Sequence, residues 1–113
     1  MESQTVEYKS DIPKKANDLK AEISAFLNTN DGTIFLGVDD DGMFIPESID
    51  NFKHWESLLS DWIQSAFNLP LNKLITLEVS DQYFAIHIKQ GEQPPYYYKD
   101  GESFNSKGIY IRN

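Results

Sequence analysis

Cysteine is absent from the chain. That removes a disulfide framework and any thiolate zinc site, and it is compatible with a reducing compartment. Long apolar runs are absent too, since none approaches the roughly 18 residues of a membrane span. Met1-Glu2-Ser3-Gln4 lacks the basic and apolar regions of a secretory signal, so a soluble, unprocessed cytoplasmic chain with no membrane contact is expected. Positive charge is scarce, with 10 Lys and Arg against 18 Asp and Glu and a net charge of −8. A long-range field of that sign repels a polyanion, which leaves a local basic face as the route to nucleic acid. No G-x-x-x-x-G-K-[ST] loop is present, and Gly37 and Gly42 are not spaced to cradle phosphates, which disfavours ATP hydrolysis. The two histidines, His54 and His87, pair with no nucleophile motif and read as surface or hydrogen-bonded residues.

What is present suits a single domain spanning residues 1–113, because 40% of the residues are hydrophobic and 13% aromatic, enough for one core. Leu19, Ile23, Phe26 and Leu27 recur at helical spacing, with Asn17 or Asp18 placed to cap the helix start. Residues 33–38 are a β-branched and aromatic run short enough for a strand. Between them, Asn28-Thr29-Asn30-Asp31-Gly32 offers local side-chain hydrogen bonds and a glycine able to take positive φ, which predicts the helix end and a turn. Residues 5–9 read as a first strand. Asp41-Gly42 reads as a turn into a brief strand at Met43-Phe44-Ile45, stopped by Pro46.

Phe52, Trp55, Leu59, Trp62, Ile63 and Ala66 share one face of a second helix, which ends at Asn68-Leu69-Pro70. Residues 74–79 and 83–89 alternate in polarity and are joined by Ser80-Asp81-Gln82, which predicts a hairpin. Beyond it come an irregular segment with an extended piece at Tyr96-Tyr97-Tyr98 and a last strand at residues 108–112. The order βαββαβββ, without repeated βαβ crossovers, predicts an α+β fold: a mixed, mainly antiparallel sheet packed by two helices.

Several blocks of this sequence, taken in order, resemble the Schlafen AlbA-type domain over nearly the whole chain. They are Glu2-Ser3-Gln4-Thr5-Val6-Glu7-Tyr8-Lys9, Ser24-Ala25-Phe26-Leu27-Asn28-Thr29, Gly37-Val38-Asp39-Asp40-Asp41-Gly42, Pro94-Pro95-Tyr96-Tyr97 and Tyr110-Ile111-Arg112. The chain departs from the family pattern at Asp31-Gly32, where members commonly carry Gly-Gly; Asp tolerates left-handed geometry, so the turn is expected to survive. In bacteria the domain usually stands at the N-terminus of transcriptional regulators, ahead of winged-helix regions. Related animal domains include ribonucleases acting on transfer RNA. The resemblance thus implies either an isolated module or the N-terminal part of a longer regulator.

Three functions remain open at this stage. The first is nucleic-acid binding, to DNA or RNA, through Lys9, Lys14, Lys15, Lys20, Lys99, Lys107 and Arg112, without catalysis and without a cofactor. Tyr8, Tyr96, Tyr97 and Tyr98 are interleaved with these cations and either stack on unpaired bases or pack over the sheet. The second is a metal-dependent ribonuclease. The resemblance assigns it Glu2, Glu7 and Asp40 as carboxylates for Mg²⁺ or Mn²⁺, which would polarise a phosphodiester, with Lys9 as a phosphate contact. The plain alternative for Asp39-Asp40-Asp41-Gly42 is ordinary turn chemistry, and for Arg112 a salt bridge. The third is a protein-interaction or homodimerisation module, which the net acidity favours.

Overall fold

In a strand, successive side chains point to opposite faces, so alternating sequences place one face in the core and leave the other to solvent. The computed structural model describes residues 5–99 and follows this rule. Val6–Lys9 forms β1, Ala16–Thr29 α1, Gly32–Leu36 β2, Phe52–Ser65 α2, Ile75–Val79 β3 and Phe84–Ile88 β4, with a 3-10 helix at Pro46–Asn51. The sheet order is β1-β2-β4-β3. β1 and β2 are parallel, with α1 as the crossover that such a pair needs, and the other two pairings are antiparallel. This is the expected α+β architecture. Among the described residues, no helix is long and apolar enough to cross a membrane. The expected last strand at residues 108–112 lies outside the described residues.

Register fixes the faces. Ile34 pairs with Ile86 and Ile86 with Leu77, while Leu36 pairs with Phe84. These residues share a face, and Ile34, Leu36, Phe84 and Ile86 are fully buried against Leu19, Ile23, Phe26 and Leu27 of α1 and Trp55 and Leu59 of α2. The rings of Phe52 and Trp55 meet Phe84 at 5.8 Å. Both helices therefore cover the same side of the sheet. Burying side chains of this size contributes roughly 1.5–3 kcal/mol each, which makes this single layer of contact the main source of stability. Tyr96 and Tyr98 join the same core, so two of the three consecutive tyrosines pack over the sheet rather than offer their rings to bases.

Five local expectations are corrected. α1 begins at Ala16, with Lys15 at the cap position and no side-chain cap bond. The Asp18 N–H already bonds the Lys15 carbonyl at 2.9 Å, so Asp18 lies inside the first turn, where a carboxylate favours the helix N-terminus. At the other end, positive φ occurs only at Gly37 and Gly42 among the described residues, so neither Asp31 nor Gly32 is left-handed. The helix ends through an extended Asn30 whose N–H bonds the Phe26 carbonyl. Asn28, expected to bond locally, reaches instead to a distant loop: its Nδ2 donates to the Tyr96 carbonyl (2.9 Å) and its Oδ1 accepts from the Tyr96 N–H (2.7 Å).

The brief strand at Met43-Phe44-Ile45 is reduced to one bridge, Val38 with Phe44, because Pro46 starts the 3-10 helix at once. α2 ends at Ser65, ahead of the expected stop. Its predicted face is otherwise buried, with Ala66 partly so.

Gly32 owes its place to space rather than to φ. A Cβ there would run into the Phe26 ring, itself fully buried. Gly32→Ala is therefore expected to lower stability by roughly 1–3 kcal/mol in chemical denaturation. Asp40→Ala, at an exposed turn position, should stay within about 0.5 kcal/mol of the parent.

Candidate nucleic-acid interface

The side of the sheet opposite the helices carries the residues that alternate with the core positions. Two rows cross it. Val6, Thr33, His87 and Thr76 are register partners in the first, and Tyr8, Phe35, Ala85 and Glu78 in the second. In the second row the Phe35 ring lies 6.0 Å from Tyr8 and 5.3 Å edge-on from Tyr83, the residue leading into β4. All three rings are half-buried. Past this aromatic row the Asp39–Gly42 turn folds back, with Gly42 so close to Tyr8 that a Cβ would stand 2.9 Å from the ring. Asp39 closes the turn by accepting the N–H groups of Asp41 (2.9 Å) and Met43 (3.0 Å).

Past the first row, the face opens into a groove of about 540 Å³ lined by Thr5, Thr33, Thr76, His87, Lys73 and Lys89, among others. Lys73 precedes β3 and Lys89 follows β4, so the antiparallel hairpin brings them together; the Lys89 N–H bonds the Leu74 carbonyl at 2.8 Å. Both lysines are exposed and form no ion pair among the described residues. Asp31 lines the same groove, with its Oδ1 accepting the Gln90 N–H at 2.7 Å. A second concavity of about 740 Å³ continues past Lys73, Lys89 and Tyr96.

A polar chain ties three strands together on this face. His87 Nε2 meets Glu78 Oε1 at 2.7 Å, its Nδ1 meets Thr33 Oγ1 at 3.1 Å, and the Tyr83 hydroxyl donates to Glu78 Oε2 at 3.1 Å. With the proton on Nε2, His87 donates to the carboxylate and accepts the threonine hydroxyl, so every member is satisfied. Hydrogen bonds from His87 and then Tyr83 hold the Glu78 carboxyl below its ordinary range. The same carboxylate, by accepting the phenol proton, pushes the Tyr83 hydroxyl up.

The residues singled out from sequence are scattered. Lys9 faces α1, where its Nζ pairs with Glu22 Oε1 at 2.7 Å, while Glu22 Oε2 is buried without a hydrogen-bond partner. Lys20 lies over the Trp62 ring at 4.9 Å, so two of the expected phosphate contacts are engaged inside the fold. Lys14 and Lys15 are exposed at the lead-in to α1, and Lys99 is exposed beyond Tyr98, its N–H on the Ala66 carbonyl. Glu7 shares the helix-facing side of β1 with Lys9, whereas the turn bearing Asp40 lies against Tyr8 on the other side.

Glu2, Lys107 and Arg112 lie outside the described residues. No group of three His, Asp or Glu residues gathers to hold a metal among the described residues. His54 is exposed and His87 is hydrogen-bonded, as expected. None of Phe35, Tyr83, Lys73 and Lys89 is among the binding residues expected from the sequence. The signal was there: strand alternation puts Phe35 opposite the core positions, and hairpin pairing places Lys73 beside Lys89.

Comparisons with known proteins bear on this geometry. A family model described as Schlafen, AlbA_2 matches residues 2–113. Among solved structures, the chain is similar to the N-terminal domain of an ATP-dependent DNA helicase RecG-related protein from Nitrosomonas europaea, determined by solution NMR. The match has a TM-score of 0.58 at 20% identity and covers 98% of this chain and 78% of that one, a likeness of fold. No curated protein matches the chain.

The polar chain makes stability respond to pH at both ends. Glu78 is lowered from 4.5, so its contribution is present above pH 4.5 and lost as pH falls through the depressed folded-state value. Tyr83 is raised from 10.0, so the contribution of its neutral form is present below pH 10.0 and lost as pH rises through the elevated value. In thermal melts across pH, Glu78→Gln should make both limbs slightly shallower, and Tyr83→Phe should make the alkaline limb slightly shallower while leaving most of the acid one.

Proposed function

The chain belongs to the Schlafen AlbA_2 family, and from that premise we propose that it is a nucleic-acid-binding module of a cytoplasmic bacterial transcriptional regulator, without catalysis of its own. The observation that supports this reading is the pair of exposed cations Lys73 and Lys89, without an ion pair among the described residues, in one groove on the side of the sheet that neither helix covers. Lysines in that setting neutralise phosphates and release counterions, while neighbouring threonine hydroxyls donate to phosphate or sugar oxygens. Because the chain as a whole carries −8, its affinity rests on this local patch and falls steeply as salt rises. Asp31 offsets one of the two charges in the groove, and Asp39, Asp40 and Asp41 at the far end confine a polyanion to the groove end of the face.

The test is the salt dependence of binding to labelled DNA and RNA, followed by fluorescence anisotropy. Lys73→Gln with Lys89→Gln should lower the slope of log K against log salt by about 1.5, as expected for two lost phosphate contacts. Lys14→Gln with Lys15→Gln should leave most of the slope in place; loss confined to that pair would move the interface to the α1 lead-in. Cleavage that requires Mn²⁺, stops with chelator and disappears in Glu7→Ala would overturn the non-catalytic reading and give Glu2, Glu7 and Asp40 the metal.

A further inference from the structure

We infer that the open sheet face takes single-stranded rather than duplex nucleic acid, with the phosphate at Lys73 and Lys89 and a base on the aromatic row of Tyr8, Phe35 and Tyr83. This rests on the binding reading above and adds the strand state of the ligand.

Three observations converge on it. First, Tyr8, Phe35 and Tyr83 stand half-exposed side by side on the face that neither helix covers. Phe35 stands at 50° to Tyr8 and 85° to Tyr83, so one ring of the row at a time can offer its face to an unpaired base, whereas a duplex has its base faces occupied and offers only edges and backbone. Second, the spacing fits one nucleotide. Thr33 and Phe35 are two residues apart on β2, about 7 Å along the strand. A phosphate in the groove beside Thr33 therefore leaves its base within reach of the Phe35 ring.

Third, the face is polar along its length. Lys73 and Lys89 stand at the groove end with Asp31; Thr33, Thr76 and His87 come next; the aromatic row with Glu78 at its edge follows; and the Asp39–Gly42 turn closes the far end. Two cations against one carboxylate at the groove end, and three carboxylates in the far turn, orient the ligand with its anionic phosphate toward the lysines. A duplex laid across the same face would bring a second phosphate strand against the acidic turn. Single-stranded nucleic acid is the occupant that both the ring surface and the charge order accommodate.

Anisotropy titrations at low salt with an oligothymidine or oligouridine of about 12 nucleotides, and with a duplex of equal length, test the inference. The single strands should bind about tenfold more tightly than the duplex. Phe35→Leu, which keeps apolar volume but removes the ring, should abolish that preference. Should Phe35→Leu fail to fold, Tyr83→Leu gives the same readout from the rim of the row. Lys73→Gln with Lys89→Gln should weaken single strands and duplex alike. Equal affinity for both ligands, or a preference that survives both ring substitutions, would overturn the strand-state inference and leave the binding reading standing. No binding of either ligand would overturn both.

Discussion

Every feature of this domain depends on α1 and α2 packing against one side of the sheet formed by β1 to β4. The apolar faces of α1 and α2 meet a common surface made by Ile34 and Leu36 of β2 and Phe84 and Ile86 of β4, with Trp55 and Phe26 the largest fully buried side chains there. One core results, and it consumes the apolar residues of both helices. The opposite side of the sheet has no described layer of its own, and its aromatic row packs on itself beside a fully buried Ala85. Gly32 shows how tightly the covered side is built, since no side chain fits between it and Phe26.

The uncovered side is nevertheless ordered in chemistry. Strand alternation collects Thr33, Phe35, Thr76, Glu78, Ala85 and His87 there, and register sorts them into rows. The Thr33, His87, Glu78 and Tyr83 hydrogen bonds hold β2, β4 and β3 in fixed relation on that face. Partly exposed polar networks of this kind add little net stability but fix side-chain positions. The result is a preorganised surface with Lys73, Lys89 and Asp31 at one end, Glu78 in the middle and the Asp39, Asp40 and Asp41 carboxylates at the other, a distribution that the net charge of −8 does not disclose.

Much of this was legible in the sequence because it depends on periodicity. The helical spacing of Leu19, Ile23, Phe26 and Leu27, the second helix from Phe52 onward and the alternating hairpin all appear where their patterns place them. The α1 boundary was less legible, since Asp18 serves equally well as a cap or as a first-turn acid, and only the hydrogen bond to Lys15 distinguishes them. Gly32 suggested a left-handed turn because glycine serves two purposes, conformational freedom and close approach, and sequence does not say which. Cations were the hardest to read. Lys9, Lys20, Lys73 and Lys89 are alike in a sequence, yet Glu22 neutralises the first, Trp62 engages the second, and the hairpin brings the last two together in the open.

Backbone amide chemical-shift mapping during titration with a short single-stranded oligonucleotide tests the central claim most directly. The account predicts shifts clustered at Thr33, Phe35, Lys73, Thr76, His87 and Lys89, with α1 and α2 unchanged. Shifts confined to the lysines around Lys14 and Lys15, with the sheet face silent, would contradict it.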